Sequence, residues 1–210
     1  MNFSANAMAS GQPSGTSQRA KWAKGQPIGE LMQQALAYPE LISLAAGFVD
    51  SATLPVEAVS ELIRQWSQDP EVLRSALQYG SNQGDPRLRA EVVRFGYRQH
   101  GTAHPIDPDQ VLLTAGSNQF LHLFAEAQFN PGDIVLTAVP TYFVFLGTLK
   151  NLGVRSISVP SDQWGMQPEA LRATLADLES QGLARQVKSV YLIPYFDNPG
   201  STTLTLERRI

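Results

Sequence analysis

The sequence has no cysteine, which removes a disulfide framework, a thiolate metal site and a cysteine nucleophile together. Histidine is scarce: among His100, His104 and His122 no spacing sets two imidazoles four apart beside a glutamate on one helix. Gly101 and Pro105 put His100 and His104 in a loop, where they read as solvated. No apolar run reaches the length of a membrane span, and Met1-Asn2-Phe3-Ser4 lacks the charged start and apolar centre of a secretory signal. A cytoplasmic location is the expectation. An excess of one charge sign is missing too: 16 Lys and Arg against 19 Asp and Glu leave a net charge of -3, which argues against nucleic acid or an anionic membrane as partner.

What is present suits a globular protein. At 210 residues, 43% hydrophobic and 17% charged, the chain can bury one sizeable core, or a core plus a smaller lobe. Residues 1–26 open with a stretch rich in Ser, Ala, Gly, Asn and Gln, which reads as a flexible arm. Residues 27–80 form a first segment and 81–210 a larger domain. In the first, Leu31, Met32, Ala35 and Leu36 have helical spacing before Tyr38-Pro39, and Val59, Leu62, Ile63 and Trp66 share a helical face. Asp85-Pro86 reads as an N-cap and first helical position. The helix after it carries Arg87, Arg89, Arg94 and Arg98, expected to be a solvated face.

The larger domain alternates. Val111-Leu-Leu113 and Asp133–Ala138 read as strands, Tyr142–Leu152 as a helix, Val154–Val159 as a strand, Pro168–Leu178 as a helix and Val187–Ile193 as a strand. Strands separated by helices imply an α/β fold, three layers deep, with a mostly parallel sheet and helices on both faces. Ligands in such sheets bind beyond the carboxyl ends of the strands. Three exits stand out: Gly116-Ser117-Asn118, Pro140-Thr141-Tyr142, and Pro194 to Gly200. They offer N–H groups at a helix start with Ser117 as N-cap, an aromatic face, and an amide donor. That set suits a flat, polar, phosphorylated ligand. Each part also has a plain reading: a capped helix, a core aromatic, an Asn-Pro turn.

Five segments in order resemble the pyridoxal-phosphate aminotransferases of fold type I, class I/II, in the branch of the aminoadipate and kynurenine aminotransferases. They are Ile42-Ser-Leu-Ala-Ala-Gly47; Gln78-Tyr79-Gly80 with Gly84 and Leu88-Arg89; Thr114-Ala-Gly-Ser-Asn-Gln119; Asn130-Pro-Gly-Asp133 with Pro140-Thr-Tyr142; and Asn198-Pro199 with Leu206-Glu-Arg-Arg209. The resemblance implies a cofactor, pyridoxal 5'-phosphate, and residues to hold it. Ser117 and Asn118 would hold its phosphate, Tyr142 would stack on the ring, and Asn198 would bond the ring oxygen. Tyr79 would reach the phosphate of a neighbouring subunit's cofactor, and Gly47 would let backbone approach the substrate carboxylate. It further implies amino acid and 2-oxo acid substrates, and a homodimer.

Two departures accompany the resemblance. Where the family commonly continues Asn-Pro with Thr-Gly, this chain has Gly200-Ser201. None of Lys21, Lys24, Lys150 and Lys188 suits the family's Schiff-base lysine, which comes after the Asn-Pro segment. The expectation is a truncated aminotransferase with an incomplete large domain and no catalytic residue of its own, inactive alone. Carbon–sulfur lyases of the same fold, a regulator-type domain and a non-catalytic remnant are the alternatives.

Overall fold

The computed structural model describes residues 15–23, 27–38, 40–42, 49–100 and 106–210. Two compact units emerge: Met1–Ala46 with Leu121–Ile210, and Gly47–Phe120.

In the first unit, β1 (Ile134–Val139) is central in a sheet of order β3-β2-β1-β4, with β2 at Arg155–Asp162, β3 at Gly165–Met166 and β4 at Val187–Tyr191. β2 and β4 pair with β1 in parallel, Leu136 facing Ile157 on one side and Val190 on the other, while the short β3 is antiparallel to β2. β1 is an almost unbroken apolar run because both of its faces are covered. Val135 packs with Ala125 and Phe129 and with Phe145 and Leu149 of α7 (Phe143–Asn151); the first two belong to α6 (Gly116–Gln128) and the residue just after it. Ile134, Leu136 and Ala138 pack on the other face with Leu178 of α8 (Pro168–Ser180). Helix, sheet, helix is the three-layer arrangement expected. Ile134, Leu136 and Leu149 have no exposed surface, and each such side chain contributes about 1.5–3 kcal/mol by leaving water.

Within the stretch read as an arm, Gln18–Trp22 forms a helix, α1. Ser17 caps it by accepting from the Ala20 N–H at 3.1 Å, and Arg19 pairs with Glu126. The helical pattern after residue 26 is α2, Pro27–Ala37.

The second unit carries α3 (Val56–Ser67), α4 (Pro70–Leu77) and α5 (Pro86–His100). Asp69 caps α4 through the N–H groups of Glu71 and Val72, with Pro70 at the first helical position. Asp85 does the same for α5, accepting from the N–H of Arg87 at 2.8 Å and of Leu88 at 3.2 Å, as the Asp-Pro pair predicts.

Three expectations need correction. Val111-Leu-Leu113 is not a strand: among the described residues it joins no ladder, the Val111 N–H donating to the Pro108 carbonyl at 3.1 Å and the Leu113 N–H to the Gln83 carbonyl at 3.0 Å, and extended chain without a partner strand is not sheet. Arg89 is not on a solvated face. It is buried, because its guanidinium donates to the Pro108 carbonyl at 2.8 Å and to Asp109 Oδ1 at 3.0 Å. The backbone of His100 ends α5 rather than lying in a loop.

Candidate functional site

The carboxyl edge of β1 leads through Pro140 and Thr141 into α7, and Tyr142 stands at that helix's N-cap. Thr141 is buried, and Tyr142 is half-buried against the α6–α7 cluster. Beside it, Tyr191 closes β4 with its ring 4.5 Å from that of Phe145. Burial pushes the Tyr191 hydroxyl above the ordinary tyrosine range, and the nearby Tyr142 and Asp197 push it further. Residues from two strand exits therefore share one electrostatic neighbourhood at the edge the fold class nominates.

The loop after β4 is closed on itself. The Leu204 N–H donates to the Pro194 carbonyl at 2.9 Å, the Asp197 N–H to the Thr202 carbonyl at 2.8 Å, and the Ser201 N–H to the Asp197 carbonyl. Asn198 lies within this turn and is exposed. Phe196 (φ 48) and Ser201 (φ 53) flank it in the left-handed region, which costs a residue with a side chain about 1–2 kcal/mol. The Val139-Pro140 and Asn198-Pro199 bonds are both cis.

Asp197 is 8% exposed. Burial pushes its carboxyl above the ordinary aspartate range, and the N–H groups of Gly200 and Asn198 bring it part of the way back. Its Oδ1 and the Ser161 Oγ are both buried without a hydrogen-bond partner, and both residues line a cavity of about 10 Å³. That is room for about one water.

The remaining sequence-derived residues belong to the other unit. Ser117 is exposed and lies one residue inside α6 rather than at its N-cap, because the helix begins at Gly116. The start is closed differently: Gln119 Oε1 accepts from the Ala115 N–H at 2.5 Å, and Thr114 Oγ1 donates to the Gly116 carbonyl at 3.1 Å. Gly116 has φ 75, and a Cβ there would meet nothing within 4 Å. Its glycine is thus required by backbone angle, with open space above it. Ser117 and Asn118 stand in the first turn of this 13-residue helix, at its positive dipole end. Tyr79 is fully exposed. Gly47 lies outside the described residues. The structure thus brings Tyr142 and the Asn198 loop to one sheet edge, with Ser117, Asn118 and Tyr79 on the second unit.

Tyr191 and Asp197 escape a reading of the sequence. Tyr191 sits in an apolar strand run and looks like any core aromatic; only its neighbours distinguish it. Asp197 carries a signal of sorts, a carboxylate directly before Asn-Pro at a strand exit. The lysines are at the wrong end. Lys188 Nζ donates to the Arg185 carbonyl at 2.9 Å and lies 3.9 Å from Asp133, at the start of β1. Lys21 and Lys150 flank a groove with Gly153 and Val154, before β2. Lys24 lies outside the described residues. Among the described residues no group of His, Asp and Glu is placed to hold a metal, and no helix is long and apolar enough to cross a membrane.

The profile of the family described as Aminotransferase class I and II matches residues 39–208. The aromatic-amino-acid aminotransferase 1 of Thermococcus litoralis is 33% identical over 92% of this chain and 45% of its own length. The mitochondrial kynurenine/alpha-aminoadipate aminotransferase of Rattus norvegicus is 30% identical over 89% of this chain and 47% of its own. Among solved structures, the Pyrococcus horikoshii kynurenine aminotransferase, in complex with PMP, superposes with a TM-score of 0.81 at 31% identity, over 92% of this chain and 46% of that one. The chain spans less than half the length of each. With the profile covering most of its residues, the chain belongs to the class I and II aminotransferase family.

Proposed function

We propose that this chain supplies part of the cofactor cradle of a pyridoxal-phosphate aminotransferase, which moves an amino group from an amino acid to a 2-oxo acid. The observation that carries the reading is that Tyr142, after β1, and the Asn198 loop, after β4, follow the carboxyl ends of two neighbouring parallel strands. The residues suit a flat phosphorylated pyridine. Tyr142 offers a partly exposed aromatic face for the ring, and Asn198 an exposed amide for the ring oxygen. The start of α6 has open space over Gly116 for a phosphate at Ser117 and Asn118. In this reading Tyr79, wholly exposed on its own unit, serves the phosphate site of a second subunit in a homodimer. Gly47 serves the substrate carboxylate.

When bound, pyridoxal phosphate supplies the electron sink and the amino-group carrier. The chain's own residues bind and orient. Tyr142 fixes the plane of the ring, Asn198 donates to its oxygen and biases that oxygen's proton, and the helix end neutralises phosphate charge. A lysine for the covalent link is a separate requirement. Among the described residues, Lys21, Lys150 and Lys188 all stand at the opposite edge of the sheet; in this reading the 210-residue chain holds the cofactor without a covalent bond and does not turn over.

The test mixes the purified 210-residue chain with pyridoxal phosphate. Saturable quenching of protein fluorescence is expected, with no borohydride-trapped lysine adduct and no amino transfer. Site-specific trapping together with transfer activity overturns the inactive-alone reading. Absence of saturable binding counts against the cradle itself.

A further inference from the structure

The loop that presents Asn198 contains two residues in the left-handed region, and its stem is short. Such a loop opens readily unless something grips both legs. Arg209 does so. Its Nε and Nη2 donate to the Leu204 carbonyl at 2.9 and 2.8 Å, and Nη2 also reaches the Pro194 carbonyl at 3.3 Å. Its Nη1 donates to the Tyr195 hydroxyl at 2.5 Å, and the guanidinium lies over the Tyr195 ring, 4.2 Å from the centroid. Pro194 and Leu204 are the two ends of the stem, already joined by a backbone bond. The planar fork therefore caps both ends at once, which a lysine's point charge does not reproduce.

The neighbouring arginine holds the clamp in place. Arg208 forks onto Asp162, with Nη1 to Oδ1 and Nη2 to Oδ2 both at 2.7 Å, and donates to the Gly165 carbonyl at 2.7 Å. This fastens the turn at Leu206–Arg208 to the β2–β3 hairpin. Arg209 is then presented to the loop from a fixed base.

We propose that Arg209 is a positioning residue for Asn198: it closes the 194–204 loop so that the amide is held at one place on the sheet edge. The assignment rests on the reading of Asn198 as a ligand of the cofactor ring oxygen. Arg209 touches neither cofactor nor substrate in this scheme and acts only through the loop.

Two measurements on the 210-residue chain test it. The first needs no cofactor: backbone hydrogen exchange at Asp197 and Leu204 in the wild type, R209A, R209K and Y195F. Exchange is expected to rise roughly tenfold or more in R209A and R209K, with Val135 and Leu136 of β1 unchanged. Y195F, which keeps the ring and the fork, is expected to stay near wild type. Unchanged exchange at Asp197 and Leu204 in R209K, which keeps the charge and lowers the risk of misfolding, overturns the clamp.

The second is a double-mutant cycle on pyridoxal phosphate affinity, with the pH response of the bound cofactor's absorption band read alongside. R209A and N198A are each expected to weaken binding about tenfold and to displace the band's pH response in the same direction, with the double variant no weaker than N198A. Fully additive losses, or a pH response that N198A moves and R209A does not, place Arg209 in general stability and overturn the positioning role. If the wild-type chain binds no pyridoxal phosphate, the functional reading and with it the Asn198 role fail, while the exchange measurement still decides whether Arg209 closes the loop.

Discussion

Arg208 and Asp162, 46 residues apart, meet as a two-pronged pair, both contacts at 2.7 Å. The guanidinium hydrogen bond holds the Asp162 carboxyl below its ordinary range, with burial opposing. A carboxyl depressed on folding stabilises the protein above its unfolded pKa, and that stabilisation is lost as pH falls through the folded value. The stability advantage of wild type over D162N is therefore expected to shrink on acidification below the ordinary aspartate range. Urea midpoints measured across that range check it; an advantage that is constant with pH contradicts the pairing. R208K keeps the charge without the fork, and is expected to retain only part of the advantage.

Ser201 has φ 53 where the resembling family commonly carries glycine, whereas Gly200, one residue earlier, is not in the left-handed region. The departure from Asn-Pro-Thr-Gly therefore leaves the turn intact but strained. Replacing Ser201 by glycine relieves the side-chain clash while giving back some entropy in the unfolded chain. S201G is expected to stabilise by about 0.5–1 kcal/mol. Urea denaturation would show it as a raised midpoint at unchanged slope, and a lowered midpoint would remove the strain argument.

Much of the first unit is legible in the sequence because burial on both faces leaves β1 little choice but an apolar run, and because its crossovers are helices with clear spacing. The exits follow from the strands, so the positions of Tyr142 after β1 and Asn198 after β4 are legible without coordinates. The failures share one cause. Val111-Leu-Leu113 has strand composition, but a strand is made by its neighbour's hydrogen bonds, and composition does not supply one. Ser117 has cap chemistry, but Gly116 at φ 75 already begins the helix. Arg89 and Arg98 read alike as charges on a helix; only the Pro108 carbonyl and the Asp109 carboxylate, brought near by the fold, make one of them a buried donor. Asp69-Pro70, by contrast, carries a readable cap signal for α4. Contacts between distant residues also hide Tyr191, Asp197 and Arg209.

Asp197 gives the opposite acid response to Asp162. Its carboxyl is raised, first by burial, so the folded chain holds its proton over a window in which the unfolded chain has lost it. Stability from this group is fully present below the unfolded pKa and is lost as pH rises through the folded one. D197N carries no ionisable group and keeps the shape. Its stability relative to wild type is expected to increase as pH rises from the ordinary aspartate value through the raised one, then level off. Paired denaturation curves at stepped pH check this. A relative stability that falls with rising pH would falsify the burial assignment and point to a partner for Oδ1.

The cofactor reading makes one demand on Tyr142 that a structural role does not. If the ring stacks on pyridine, affinity depends on the aromatic face and not on the hydroxyl, because stacking is a contact of π surfaces. Y142F is then expected to bind pyridoxal phosphate within about twofold of wild type, and Y142A to bind roughly three- to tenfold more weakly. The same pair separates a second effect. The Tyr142 hydroxyl helps to raise Tyr191, so Y142F is expected to lower the Tyr191 titration seen by ultraviolet absorbance while leaving cofactor affinity nearly untouched. Tyr142 also packs on the α6–α7 cluster, so Y142A should lose stability as well, and binding must be compared at a temperature where both variants are folded. Equal loss of affinity in Y142F and Y142A would mean that the hydroxyl makes the contact, and the ring-stacking role would have to be given up even if the chain binds the cofactor well.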